Sequence, residues 1–319
     1  MPQNVKINFR YSYQIFNNFS KVIDMNKKTI SIAMPPVVIG GCGGSGTRVV
    51  ASLLQECGFN IGDDLNDAQD NLLFTFLFRV PRHHNKASKN AEYTNDLILL
   101  YKNLFFGQRS ILIKNWNYIP QIWEHLFCSV SFKFPYSLIW IVRRFLKIFS
   151  SKSRKTGRWG WKEPNSQIYL KELVHYFPEM KYIHVIRNGF DMAYSRNQLQ
   201  LHNWGHLYSI SKAEIEGSLP QASLKYWVRS NTHSISTAKE LLGQSCLVVR
   251  FEDLCMHPEK TSLEIIKFLG VDEESCDLGF MKGLVVKPST MGRYKSYDLD
   301  HMASEDIDGA RLLGYPLES

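Results

Sequence analysis

The sequence predicts an α/β protein, a three-layer sandwich with a central parallel sheet flanked by helices. Three observations predict it. The stretch "VVIGGCGGSGTRVVASLL", residues 37–54, runs from an apolar strand pattern through glycines into an apolar helical pattern. Two further strand patterns, "MKYIHVIRN" at 180–188 and "SCLVVRFEDL" at 245–254, each lead into a helical pattern. Strands that alternate with helices pair in parallel, with the helices covering the sheet. The glycine-rich turn at the first strand–helix junction makes the sandwich P-loop-like.

Along the chain, residues 1–34 are polar and irregular, and they read as an N-terminal extension. The core starts at "PPVVIGG", and its helix runs to about Glu56 and stops near Gly58. "SILIKN", 110–115, is a second strand candidate. Helical patterns cover 91–105, 166–177 and 221–242, and another runs from about Pro258 to Leu269. "FDMAYSRNQL" reads as the helix after the 180–188 strand, and the tail from Val285 onward reads as loop. With no Pro/Gly/Ser-rich linker inside it, 35–319 reads as a single domain.

With 44% hydrophobic and 13% aromatic residues, the 319-residue chain has ample material for a core. Its net charge of +8 suits an anionic substrate or a membrane surface and gives no particular support to nucleic-acid binding. Six scattered cysteines, none in C-x-x-C spacing, read as reduced thiols of a cytoplasmic protein. The N-terminus lacks a signal-peptide pattern, and no window supplies the roughly 18–20 apolar residues that cross a bilayer. "FPYSLIWIVRRFLKIF", 134–149, comes nearest, broken by Arg143, Arg144 and Lys147. It reads as a partly buried helix, with peripheral membrane contact as the alternative. No His/Cys cluster has metal-ligand spacing, so no metal is expected.

The glycine loop is built to hold an anion. Gly43, Gly44 and Gly46 leave room for backbone N–H groups to converge, Ser45 and Thr47 add hydroxyls, and Arg48 adds charge. A triphosphate loop, G-x-x-x-x-G-K-[ST], would put lysine where Thr47 stands. A second constellation, "VIRNGFDMAYS", sets Arg187 at a strand end and Ser195 eight residues on, two turns into the next helix. A guanidinium and a hydroxyl so placed can close on one phosphate.

Together these two stretches resemble the nucleotide site of the PAPS-dependent sulfotransferases, whose strand–loop–S-G-T–helix holds the 5′-phosphosulfate. Their strand–Arg–x7–Ser–helix holds the 3′-phosphate. "WGWKEPNS", 159–166, resembles the Trp-Gly-x-Lys-x-Pro segment of bacterial and carbohydrate-type members. "VVRFEDLCMHP", 248–258, resembles their E-D-L turn, and "VKPSTMGRYKS", 286–296, their late Gly-Arg loop, here Gly292 and Arg293. The chain departs from many members in having Gly44, not Lys or Arg, just before S-G-T.

The resemblance implies transfer of a sulfuryl group from 3′-phosphoadenosine 5′-phosphosulfate (PAPS) to a hydroxyl or amine, leaving the bisphosphate PAP. The acceptor it favours is a carbohydrate, glycolipid or secondary metabolite. It also implies that Lys162 reaches the donor, with Arg48 the other candidate for the missing loop charge. The base is open among Asp70, Asp64 and Glu163. At helical spacing Asp63, Asp67 and Asp70 share a face, and Asp64 opens that helix as a cap. Trp161 and Trp227 are candidate walls for adenine, His184 a core residue, and His83–His84 a solvated loop or cleft lining. The competing readings are a P-loop phosphotransferase and a non-catalytic bisphosphonucleotide- or glycan-binding protein. The sequence leaves the oligomeric state open.

Overall fold

The computed structural model describes residues 34–81, 84, 91–108, 139, 140, 142–144, 146, 147 and 157–317. Strand β1 (Val37–Gly41) is wholly buried and leads through the glycine turn into α1 (Thr47–Glu56). Helices α2 (Leu72–Phe78) and α3 (Ala91–Phe105) follow. Next come the short strand β2 (Gly160–Lys162), a 3-10 turn over Pro164–Tyr169, and α4 (Leu170–Tyr176). Strand β3 (Lys181–Ile186) leads to α5 (Gly189–Ala193), α6 (Leu199–Trp204), α7 (Lys212–Gly217) and the long α8 (Leu219–Leu242). After β4 (Cys246–Arg250) come α9 (Phe251–Met256), α10 (Pro258–Leu269), α11 (Leu278–Leu284) and α12 (Ser304–Leu312).

The four strands pair in parallel in the order β2–β1–β3–β4. Because side chains alternate across a strand, the sheet divides the apolar residues between two faces. Val38, Tyr182 and Ile186 face the larger cluster, filled by Phe74, Phe78, Tyr101, Leu173 and Trp227 from α2, α3, α4 and α8. Val37, Ile39, Ile183, Val185 and Val249 face the other, where α1 supplies Val50, Leu53 and Leu54, and α10 supplies Ile265, Ile266 and Leu269. Burying each such side chain contributes roughly 1.5–3 kcal/mol, so the two faces together hold the layers in place. The result is the three-layer, P-loop-like sandwich expected from the sequence.

Local structure differs from the sequence reading in four places. Residues 62–70 form an irregular turn, not a helix, and the cap of α2 is Asn71, whose side chain accepts from the Phe74 N–H. The predicted helix from Phe190 breaks after Ala193 and resumes at Leu199. The Gln198 carboxamide fills the gap by donating to the carbonyls of Met192, Ala193 and Ser195. "GWK" is an edge strand, because Gly160 lies so near the Val37 carbonyl that a Cβ there would collide with it. The tail also carries α12, whose Ala310 packs in the larger cluster. The predicted strand at 110–115 and the N-terminal extension lie outside the described residues.

Within 134–149 the described residues are helical. Ile139, Val142 and Leu146 are exposed on one face, at i, i+3 and i+7. Arg144 turns the other way and binds Asp64 at 2.5 Å. No described helix is long and apolar enough to cross a membrane.

Candidate active site

The site lies at the carboxyl ends of the parallel strands, where the turns after β1, β2 and β3 come together. Its first part is the turn after β1. Gly46 has φ 91°, and a Cβ there would run into the Phe251 ring, so only glycine fits the last step before α1. Gly44, at φ 97°, is exposed at the tip. Two hydroxyls face inward: Thr47 is buried, and the Ser45 Oγ is buried with no hydrogen-bond partner. An orphaned buried hydroxyl costs about 1–3 kcal/mol. An anion accepting from it, and from the free N–H groups of the first turn of α1, removes that cost.

The second part follows β3. Arg187 is the first residue beyond the strand and is buried. Its guanidinium donates to the Gly44 carbonyl (3.4 Å) and the Thr290 hydroxyl (3.0 Å), and lies over the Phe251 ring. Its Nε has no partner. Burial holds its pKa below the usual arginine value, and nearby Arg293 adds to the effect while Asp191 opposes it. Two close guanidiniums, one with an idle buried N–H, form a site that lacks only its anion.

Asp191 brings the late Gly-Arg loop to this point. The buried carboxylate accepts from the N–H of Gly292 (2.7 Å) and of Tyr294 (3.2 Å). Arg293 in turn donates to the carbonyls of Thr290 and Tyr194. Ser195 sits in the turn just past α5, with its hydroxyl accepting from the Asn197 N–H at 3.3 Å.

The third part is the end of β2. Lys162 pairs with Ile39 in register, one residue short of the glycines, and is almost wholly buried. Its ammonium meets Asp70 Oδ1 at 2.5 Å and the Ala68 carbonyl at 2.9 Å. Asn66 holds the other side of Asp70, donating from Nδ2 to Oδ2 at 2.8 Å and accepting from the Asp70 N–H. The turn between them uses Gln69 at φ 61°, a rare conformation for a residue other than glycine. Gln69 is anchored through Ser52 to α1.

Glu163 beside Lys162 is also buried, and it accepts from the backbone and side chain of Asn165 and from Thr75. Burial, and then the Asp70 charge, push its carboxyl up to about 7. Gln200 completes the junction, accepting from the Gly43 N–H at 2.8 Å and donating to Asn165 at 3.1 Å. A cleft opens between these parts, lined by Gly43, Gly44, Asp70, Arg79, Lys162 and Gln200 among others.

The chain matches the model of the "Sulfotransferase family" over residues 35–275, most of its length. It belongs to the sulfotransferase family. The Synechococcus PCC 7002 olefin synthase sulfotransferase domain is similar at 16% identity and TM-score 0.48, covering 92% of this chain and 99% of that one. A sulfotransferase from Alicyclobacillus acidocaldarius has 12% identity and TM-score 0.45, covering 90% and 98%. The sulfotransferase domain of the curacin biosynthetic pathway has 15% identity and TM-score 0.47, covering 90% and 100%. The assignment rests on the family model, since likeness at these TM-scores carries no weight. No curated protein matches.

In this sulfotransferase, Gly43, Gly44, Ser45, Gly46, Thr47, Arg187, Gly292 and Arg293 converge on one edge of the sheet, with Lys162, Glu163 and Asp70 beside them. Two predicted residues stand apart. Arg48 is exposed on α1, so it does not supply the missing loop charge. Asp64 neither caps a helix nor lines the cleft; it binds Arg144, and burial raises its pKa. Ser195 stands in a turn, not two turns into a helix.

Trp161 is fully buried and stacks on Phe74, so it forms no wall for adenine. Trp227 donates to the Arg187 carbonyl. His184 is a core residue between Tyr182 and Asn231, pushed down to about 4 by burial. His84 packs edge-on against Tyr169 and Trp204, and His83 lies outside the described residues.

The sequence reading missed Asp191, Gln200, Asn165, Asn66 and Thr290. Asp191 could have been found, because an acid three residues after an Asn cap in the first turn of a short helix is well placed to bind N–H groups. Gln200 and Thr290 make contacts across the sheet edge that no local spacing records, and Asn66 and Asn165 bond acids four and two residues away.

The raised pKa of Glu163 has a stability consequence. Its folded value, about 7, lies above the ordinary 4.5. Its contribution is therefore complete below about pH 4.5 and is lost as pH rises through 7. Thermal unfolding followed from pH 5 to 8.5 is expected to show this loss, and Glu163→Gln to flatten it.

Proposed function

We propose that this sulfotransferase moves a sulfuryl group from PAPS to a hydroxyl, or an amine, of a carbohydrate, glycolipid or secondary metabolite. One observation carries the reading. Two anion-ready surfaces, the glycine turn with its orphaned Ser45 hydroxyl and the Arg187–Arg293 pair, meet at the sheet edge where Lys162 and Asp70 pair. Gly43 to Thr47 would hold the 5′-phosphosulfate, and Arg187, Ser195, Gly292 and Arg293 the 3′-phosphate. PAPS supplies the sulfuryl group on a good leaving phosphate, and PAP is the product.

The protein's share of the work is to position reactants and to compensate charge. Lys162 neutralises the leaving phosphate as the S–O bond to it breaks. Asp70 takes the proton of the acceptor oxygen as that oxygen bonds to sulfur. The existing Lys162–Asp70 contact holds both groups at the point of transfer, and Asn66 fixes the carboxylate's orientation. Glu163 is the less favoured base, because Asn165 and Thr75 already engage both of its oxygens.

A P-loop phosphotransferase is disfavoured by Thr47 standing where lysine would. A binding-only protein has no use for a buried, paired lysine and carboxylate between loop and cleft. A cytoplasmic setting is supported by the unbridged thiols of Cys42, Cys246 and Cys255. Peripheral membrane contact by 134–149 is supported by the exposed Ile139, Val142 and Leu146 beside Arg143 and Lys147. Co-sedimentation with phosphatidylserine vesicles is expected, and Leu146→Glu is expected to reduce it; no sedimentation would remove the contact.

Calorimetric titration with adenosine 3′,5′-bisphosphate, without metal, is expected to show binding in the micromolar range, and Mg-ATP to show none. The opposite preference would return the loop to the phosphotransferases. Arg187→Ala is expected to weaken bisphosphate binding by ~1.5–3 kcal/mol, the range for a charge-assisted hydrogen bond. Lys162→Ala is expected to lower kcat by ~100-fold or more while changing bisphosphate affinity far less, as for loss of a charge needed only in the transition state.

A further inference from the structure

Arg79 is the first residue beyond α2, the run Leu72–Phe78 in which every residue but Leu73 is buried. Its backbone N–H still closes the last turn on the Thr75 carbonyl, but its side chain is half-buried and lines the cleft. Three other buried or half-buried cations have acidic partners: Lys162 has Asp70, Arg144 has Asp64, and Lys225 has Glu214. The Arg79 guanidinium has no hydrogen bond and no ion pair among the described residues. The acid that feels its charge, Glu163, has both oxygens engaged by Asn165 and Thr75.

An arginine presents five N–H donors in a planar fork that matches a carboxylate or a phosphate. Leaving it partly desolvated and unpaired is unfavourable, so a cleft that keeps one is complete only with an anion. The donor's own anionic groups are accounted for at the glycine turn and at Arg187–Arg293. The same cleft is lined by carboxamides, Asn197, Gln200 and Asn203 among them, which suit hydroxyls and carry no charge. Lys162 and Asp70 stand at the same cleft.

We infer that the acceptor carries an anionic group, a carboxylate or a phosphate ester, which Arg79 pairs while the acceptor hydroxyl lies at Lys162 and Asp70. This rests on the sulfuryl-transfer reading and narrows its acceptor to acidic molecules. Arg79 is then a specificity-determining residue, which the sequence alone gave no reason to single out.

The test uses the full chain loaded with adenosine 3′,5′-bisphosphate and three probes: methyl β-glucoside, methyl β-glucuronide and glucose 6-phosphate. Binding is read by saturation-transfer NMR for wild type, Arg79→Gln and Arg79→Lys. The expected result is that at least one acidic probe binds wild type roughly tenfold or more tightly than the neutral glucoside. That preference falls to about twofold or less in Arg79→Gln and is partly kept in Arg79→Lys, which retains the charge without the fork.

Which acidic probe prevails distinguishes a carboxylate from a phosphate. Failure of both to outbind the glucoside, or a preference that survives in Arg79→Gln, overturns the inference. Bisphosphate affinity measured on the same samples separates the two readings. If wild type does not bind the bisphosphate, the sulfuryl-transfer reading fails; if it binds and the anion preference is absent, only the acidic acceptor fails. Bisphosphate affinity in Arg79→Gln also reports whether that variant is folded.

Discussion

The site depends on one constraint, the parallel register that locks β1 between β2 and β3. Ile39 is opposite Lys162 on one side and Ile183 on the other, so β2 ends beside Ile39 and β1 and β3 run two or three residues further toward the glycine turn. Parallel strands point their carboxyl ends the same way, and each following turn then opens on the same side of the sheet. Moving Lys162 by one residue along β2 would turn its side chain to the opposite face and away from Asp70. The edge strand has three residues, and the close approach of Gly160 to the Val37 backbone fixes its place.

Charge at this edge is arranged in pairs and exceptions. Lys162 is nearly free of solvent and is tolerable there because Asp70 and the Ala68 carbonyl satisfy it. Asp70 reaches Lys162 through a turn with Gln69 in a left-handed conformation, held by Asn66 on one side and Ser52 on the other. The local strain is offset by the ion pair that the turn makes possible. Glu163 is kept near the middle of its titration by burial and by Asp70. The exceptions are Ser45 Oγ and Arg187 Nε, which have no partner among the described residues, and Arg79, which lines the cleft with none there either.

The late loop shows how a distant segment becomes part of the site. Residues 290–294 have little regular structure beyond one 3-10 turn, and Asp191 gathers their N–H groups much as a bound anion would. This places Thr290 against Arg187 and Arg293 against Tyr194. The Arg187 end of the site is therefore assembled from three stretches far apart in sequence, through one buried carboxylate.

By itself the sequence determined three of the four strands, β1, β3 and β4, and the loops that follow β1 and β3. These are written locally: apolar runs of strand length, glycines that fix the turn, and an arginine at a strand end. It also supplied Lys162, Asp70 and Glu163 as candidates, but through resemblance and a helical spacing that residues 62–70 do not adopt. Arg48 and Asp64 were misjudged because spacing along a chain does not show which way a side chain leaves its helix, or that Arg144 lies 80 residues away across a gap. Only the tertiary structure decided that Asp70 pairs with Lys162, that Asp191 clips the late loop and that Arg79 lines the cleft with no partner among the described residues. Those outcomes follow from which turns meet at one sheet edge, and it is the packing of distant helices that sets this.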